Sequence, residues 1–122
     1  MVISTDTSSG DALPGLSTRW VLVRVRGASM SPTLKDGDRL LAARTRRRST
    51  PRPGDVVLAR FPARPELLVV KRVVRAVPGG HWVEGDSPLV PGDSRAFGAA
   101  VVVGRVLVRV WPRPGRLPAA PQ

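Results

Sequence analysis

Glu66-Leu67-Leu68-Val69-Val70-Lys71-Arg72-Val73-Val74-Arg75-Ala76-Val77 decides the fold class. Branched residues dominate, no 3.6-residue period runs through the stretch, and Pro78-Gly79-Gly80 closes it with turn chemistry. It reads as one long strand. Alternation puts Lys71 on a face with Leu67, Val69 and Val73, and Arg72 on the other with Leu68, Val70 and Val74. Burial among Val and Leu is the expectation for Lys71, the alternative being that it snorkels out from an edge strand.

The rest of the chain follows the same pattern outward. Residues 81–84 can pair back across the Pro-Gly-Gly turn. Residues 55–61 follow the turn pair Pro53-Gly54 and precede the long strand. Residues 20–26 alternate, with Val21, Val23 and Val25 on one face. Residues 39–43 form a short apolar run, and residues 99–111 close the set, with Gly104 marking a bulge or bend. The expected fold is mainly β: a small barrel-like domain of antiparallel or mixed strands with little helix. Residues 19–111 form the domain. Residues 1–18, rich in Ser, Thr, Gly and Asp, read as a disordered N-terminal tail. Residues 112–122, with four prolines, read as a Pro-rich C-terminal tail that forms neither helix nor central strand. Residues 45–53, with four arginines, read as an exposed loop.

Composition removes whole classes of chemistry. The 122 residues include no Cys and a single His. There is no thiol nucleophile, no Cys-ligated metal and no multi-histidine centre, so no metal or cofactor is expected. Catalysis must rest on Ser, Thr, Lys, Asp or Glu, or on His81. The net charge is +11, with 18 Arg and two Lys, Lys35 and Lys71. Such a charge admits a non-catalytic basic module binding DNA or RNA, with an Arg-rich loop at 44–52 facing phosphates or an acidic partner. Few aromatics for base stacking and no helix-turn-helix segment make nucleic acid the weaker reading. No run approaches the roughly 20 apolar residues of a transmembrane helix, and the N-terminus is not a secretory signal. A cytoplasmic protein without a membrane anchor is the expectation.

Two segments carry the chemistry. Gly27-Ala28-Ser29-Met30-Ser31-Pro32-Thr33-Leu34 follows the first long strand. A Ser in such a tight connection offers a hydroxyl beside a backbone N–H, the nucleophile and oxyanion donor of acyl transfer. Its base is either His81, beside a turn, or Lys71. A Lys sunk among Val and Leu loses the stability of its charged form and can accept a proton near neutrality, which Arg cannot. A third segment, residues 85–98, is a loop in which Asp93 and Arg95 stand close enough for an ion pair.

Taken together and in order, three segments resemble the type I signal peptidases. Residues 27–34 with Gly37-Asp38 resemble their nucleophile box, Val70-Lys71-Arg72-Val73 their general-base box, and Gly85-Asp86 with Asp93-Ser94-Arg95-Ala96-Phe97-Gly98 their C-terminal box. The resemblance implies a serine endopeptidase with Ser29 as nucleophile and Lys71 as base. It further implies that the Ser29 N–H donates to the oxyanion and that Gly27, Ala28, Met30 and Pro32 border the substrate. Asp86, Asp93, Ser94 and Arg95 would be supporting residues. Gly27 stands where some members carry a Ser donor. Pro91 stands where a Ser often orients the lysine, which leaves Ser94 or a backbone carbonyl to position Lys71. Such a peptidase would take a protein substrate with an N-terminal propeptide. Among the short members, the resemblance is to the maturation protease of nickel-type superoxide dismutase, with that precursor as substrate. The alternatives are a degenerate peptidase module and a signal peptidase acting on exported preproteins.

Overall fold

A computed structural model describes residues 3–5, 20–45 and 50–119. Seven strands form one sheet: β1 (Ile3–Thr5), β2 (Trp20–Val25), β3 (Arg39–Arg44), β4 (Val56–Phe61), β5 (Arg64–Val77), β6 (Gly80–Glu84) and β7 (Val101–Trp111). One four-residue helix, α1 (Ser94–Phe97), lies between the last two. The strand order is β1-β2-β3-β7-β4-β5-β6, and every pair is antiparallel, so the parallel pairing that a mixed sheet would contain does not occur among the described residues. The sheet curls until β1 meets β5, and His81 forms a bridge with Ala100 just before β7.

Curling gives the sheet two cores. Val21, Val23 and Val25 of β2 meet Leu40, Ala42, Leu58 and Val70 in the first. Val57, Ala59, Phe61, Val69, Val73 and Val83 make the second. Burial of each such Val or Leu is worth about 1.5–3 kcal/mol, before chain entropy is charged against it. β5 is shared. Val70, with partly buried Leu68, serves the first core, and Val69 and Val73 serve the second. Lys71 and Arg72 are 0 % and 6 % exposed, as the alternation requires, while Val74 has emerged into solvent.

Three details depart from the sequence reading. The shift of register in β7 falls beside Gly104, not at it, because Gly104 itself pairs with Leu58 and Arg44. A Cβ there would lie 3.1 Å from the Ala43 carbonyl and 3.2 Å from Leu58 Cδ1, so the missing side chain permits close strand packing. At the N-terminus, Ile3–Thr5 pairs with β2 and so is not part of a disordered tail; residues 6–19 lie outside the described residues. At the other end, residues 112–119 fold back: Gly115 bridges to Arg109, and Leu117 packs against the first core. Proline bars these residues from a strand ladder but leaves their carbonyls free to accept. In the Arg-rich loop, residues 46–49 lie outside the described residues.

Candidate active site

β2 ends at Val25, and the chain turns back to β3 through residues 26–38. Backbone bonds close the turn at both levels: Gly37 N–H donates to Val25 O at 2.8 Å, and Val25 N–H to Asp38 O at 2.8 Å. Inside it, Ser31 N–H donates to Ala28 O at 3.0 Å and Leu34 N–H to Met30 O at 2.9 Å. Met30 and Leu34 sink into the first core, 1 % and 0 % exposed, and anchor the turn. Met30 is therefore part of the first core. The N–H of Gly27 is taken by Asp36 Oδ1 at 2.7 Å, so it is not available to an oxyanion. Ala28 and Pro32 are on the surface. Ser29, between them and the anchors, is fully buried.

Lys71 is fully buried on the second-core face of β5. Burial lowers its pKa from the ordinary lysine value, and the nearby Asp93 carboxylate opposes that shift without cancelling it. Asp93 is held as an anion. Burial pushes its carboxyl up, but hydrogen bonds from Arg95 and from the Gly85 N–H outweigh this and leave its pKa below the usual value. The Asp93–Arg95 ion pair expected from sequence is present at 2.6 Å. Asp93 also caps α1 by accepting from the Arg95 N–H.

Gly85 lies next to the surroundings of both buried groups. It follows β6, and its N–H donates at 3.1 Å to Asp93 Oδ2, the carboxylate whose charge acts on Lys71. On its other side Gly85 presses on Ser29: a Cβ at position 85 would lie 2.5 Å from the Ser29 carbonyl oxygen and 3.4 Å from Ser29 Cβ. Ser87 N–H donates to that same carbonyl at 2.9 Å. Gly85 thus packs on Ser29 and bonds to the Asp93 carboxylate that neighbours Lys71. Ser29 Oγ and Lys71 Nζ are also two of three buried side-chain polar atoms without a hydrogen-bond partner among the described residues. An unpaired buried hydroxyl or amine costs about 1–3 kcal/mol, which makes the two groups candidates for chemistry.

The third such atom is His81 Nε2. His81 pairs with Ala76 and bridges Ala100, at the far end of the β5–β6 hairpin from Gly85. Nothing in its contacts joins it to Ser29, which leaves Lys71 as the candidate base.

The remaining supporting residues divide by role. Asp86 takes two bonds from Arg72, Nε at 2.9 Å and Nη2 at 2.8 Å, in an ion pair whose side chains are 7 % and 4 % exposed. Arg72 Nη1 donates to the Gly54 carbonyl at 2.8 Å. Ser94 Oγ accepts from Val83 N–H at 2.8 Å and so braces β6; it makes no bond to Lys71. Pro91 is exposed on the loop before Asp93. Sequence reasoning missed Thr33, whose hydroxyl donates to Asp86 Oδ2 and ties the Ser29 turn to the Arg72 pair. The available signal was Arg72 itself, since an Arg at a buried strand position demands a carboxylate.

Residues 15–84 match the family described as signal peptidase, peptidase S26. The chain belongs to this family. Its class is therefore serine peptidase of the signal peptidase I type. Subunit 1 of the mitochondrial inner membrane protease from Xenopus tropicalis is 33 % identical over 110 residues, covering 70 % of this chain and 66 % of the relative. The mitochondrial ATP-independent inner membrane protease subunit 1b of Arabidopsis thaliana is 38 % identical over 113 residues, with 70 % and 67 % covered. Subunit 2 from Danio rerio is 33 % identical over 117 residues, with 75 % and 64 % covered. The chain thus spans about two thirds of the length of these signal peptidase relatives. They carry the family resemblance but not its narrower form, the likeness to a superoxide dismutase maturation protease. They also overturn the cytoplasmic expectation, because these relatives belong to the mitochondrial inner membrane by name. Among the described residues no helix is long and apolar enough to cross a membrane.

Proposed function

We propose that this chain is an endopeptidase in which Ser29 is the nucleophile and Lys71 its general base, and that it removes N-terminal segments from protein substrates delivered at a membrane surface. The observation that carries the reading is that Ser29 Oγ and Lys71 Nζ are both buried and unpartnered among the described residues, with Gly85 packed on Ser29 and bonded to the Asp93 carboxylate that acts on Lys71. Lys71, with its pKa lowered by burial, accepts the Ser29 Oγ proton as Oγ bonds to the scissile carbonyl carbon. The Ser29 N–H donates to the oxyanion. Collapse breaks the C–N bond, and the Lys71 ammonium returns the proton to the leaving amine. Water then attacks the ester, Lys71 takes its proton, and Ser29 leaves with it. Ala28 on the surface beside Ser29 leaves room for small substrate side chains.

A quenched fluorescent peptide with small side chains on the acyl side of the cut tests this. Ser29→Ala and Lys71→Ala each lower kcat/KM by about a thousand-fold or more while circular dichroism stays that of the parent. Undiminished cleavage by either variant rules the dyad out. The nickel-type superoxide dismutase precursor rests on resemblance alone. Incubation with that precursor and N-terminal sequencing of the product decides it: a trimmed N-terminus supports that substrate, and an intact one removes it.

A further inference from the structure

Thr33 is gripped from two sides. Its hydroxyl is bonded to Asp86, which Arg72 fixes in turn. Its carbonyl accepts from Arg109 Nη1 at 3.4 Å, and the same nitrogen lies 3.6 Å from the Asp38 carboxylate. Asp38 in turn accepts from the Lys35 N–H at 3.0 Å. Two arginines, from β5 and β7, therefore hold the turn that carries Ser29.

Both arginines also hold the segment at 112–119. Arg72 Nη2 donates to the Pro118 carbonyl at 3.2 Å, and Arg109 Nε donates to the Arg113 carbonyl at 2.8 Å. The segment has its own seat. Arg109 N–H donates to Gly115 O at 2.8 Å, Gly115 N–H to Arg109 O at 3.0 Å, and Leu117 packs on the first core. A guanidinium has five donors in a rigid plane, so each carbonyl it engages restricts the plane's tilt. The carbonyls of Arg113 and Pro118 fix the tilt of the two planes, one bonded to the Thr33 carbonyl and the other to the Asp86 carboxylate that holds the Thr33 hydroxyl.

We propose that residues 112–119 are a positioning strap: through Arg109 and Arg72 they set the placement of the Ser29 turn, and hence of the Ser29 hydroxyl, without touching substrate. This rests on reading Ser29 as the nucleophile. Small displacements of a reacting group cost rate far more than they cost binding, so the strap acts on kcat.

The test compares the full chain with one shortened to end at Trp111, using the same fluorescent peptide and amide hydrogen exchange. In the shortened chain kcat falls about ten-fold or more and KM stays within about two-fold. The Ser31 and Leu34 amides exchange faster, while those of β4 and β5 keep their protection. Adding a peptide of residues 112–122 restores kcat. If the shortened chain lacks a cooperative unfolding transition, Arg109→Gln in the full chain carries the same measurements. Unchanged kcat with unchanged exchange at Ser31 and Leu34 overturns the strap. So does a loss of protection spread evenly over the sheet, which would make the segment a general stabiliser. If Ser29→Ala stays active, the nucleophile reading fails, and the exchange pattern alone decides whether the strap holds the turn.

Discussion

Lys71 and Arg72 are neighbours on one strand, both cationic and both buried, and their surroundings are opposite. Arg72 faces the first core and spends its donors on Asp86, Gly54 and Pro118. Lys71 faces the second core and has no hydrogen-bond partner among the described residues. The satisfied cation cross-links the fold. The unsatisfied one is left with a destabilised charge, which is the condition of a base. One step along a strand therefore separates architecture from reactivity, because alternation sends adjacent side chains into different environments.

The contrast breaks most visibly on the Arg72 side. Asp86→Ala leaves a buried guanidinium with two carbonyls but no counter-charge and costs about 3–5 kcal/mol, read from the urea midpoint. A loss below about 1 kcal/mol would mean that water replaces the carboxylate, and the cross-link would carry no weight. Next in size is Gly85→Ala, between the two environments. Its Cβ would sit 2.5 Å from the Ser29 carbonyl, so the Ser29 turn must shift, and cleavage falls about a hundred-fold. Parent-like rates in this variant would show that the Gly85 contact does not set the placement of Ser29.

The smallest effect lies on the Lys71 side and depends on pH. The folded-state pKa of Lys71 is below its unfolded value of 10.5, so the unfolded chain binds more protons in the interval between the two. Stability therefore rises with pH through that interval, by at most about 1.4 kcal/mol per pH unit, and the full burial penalty applies below it. Lys71→Met removes this slope. The same titration appears in the parent as kcat/KM rising with pH with an apparent pKa below that of an ordinary lysine. A pH-independent difference between parent and Lys71→Met would contradict it.

Much of this was legible in the sequence, for reasons that can be named. The alternation of β2 is enforced by one core and that of β5 by two, so Val21, Val23 and Val25 could be assigned a face, and Lys71 could be placed inside. The core role of Met30 was not legible, because its position beside Ser29 suggested substrate, whereas an anchored turn also needs an apolar residue there. Thr33 was missed because hydroxyls in turns are common and its partner lies 53 residues away. The folding-back of residues 112–119 was hidden because prolines announce what a segment cannot form, not which carbonyls it offers. The cytoplasmic assignment failed for another reason: location is not written in strand alternation at all.

The strand order carries a consequence for synthesis. β7, the last of the described strands in chain order, lies between β3 and β4. A chain emerging from the ribosome holds the Ser29 turn and the Lys71 strand long before the element that joins their two halves of the sheet. The pairing of those two halves into one sheet therefore waits on β7.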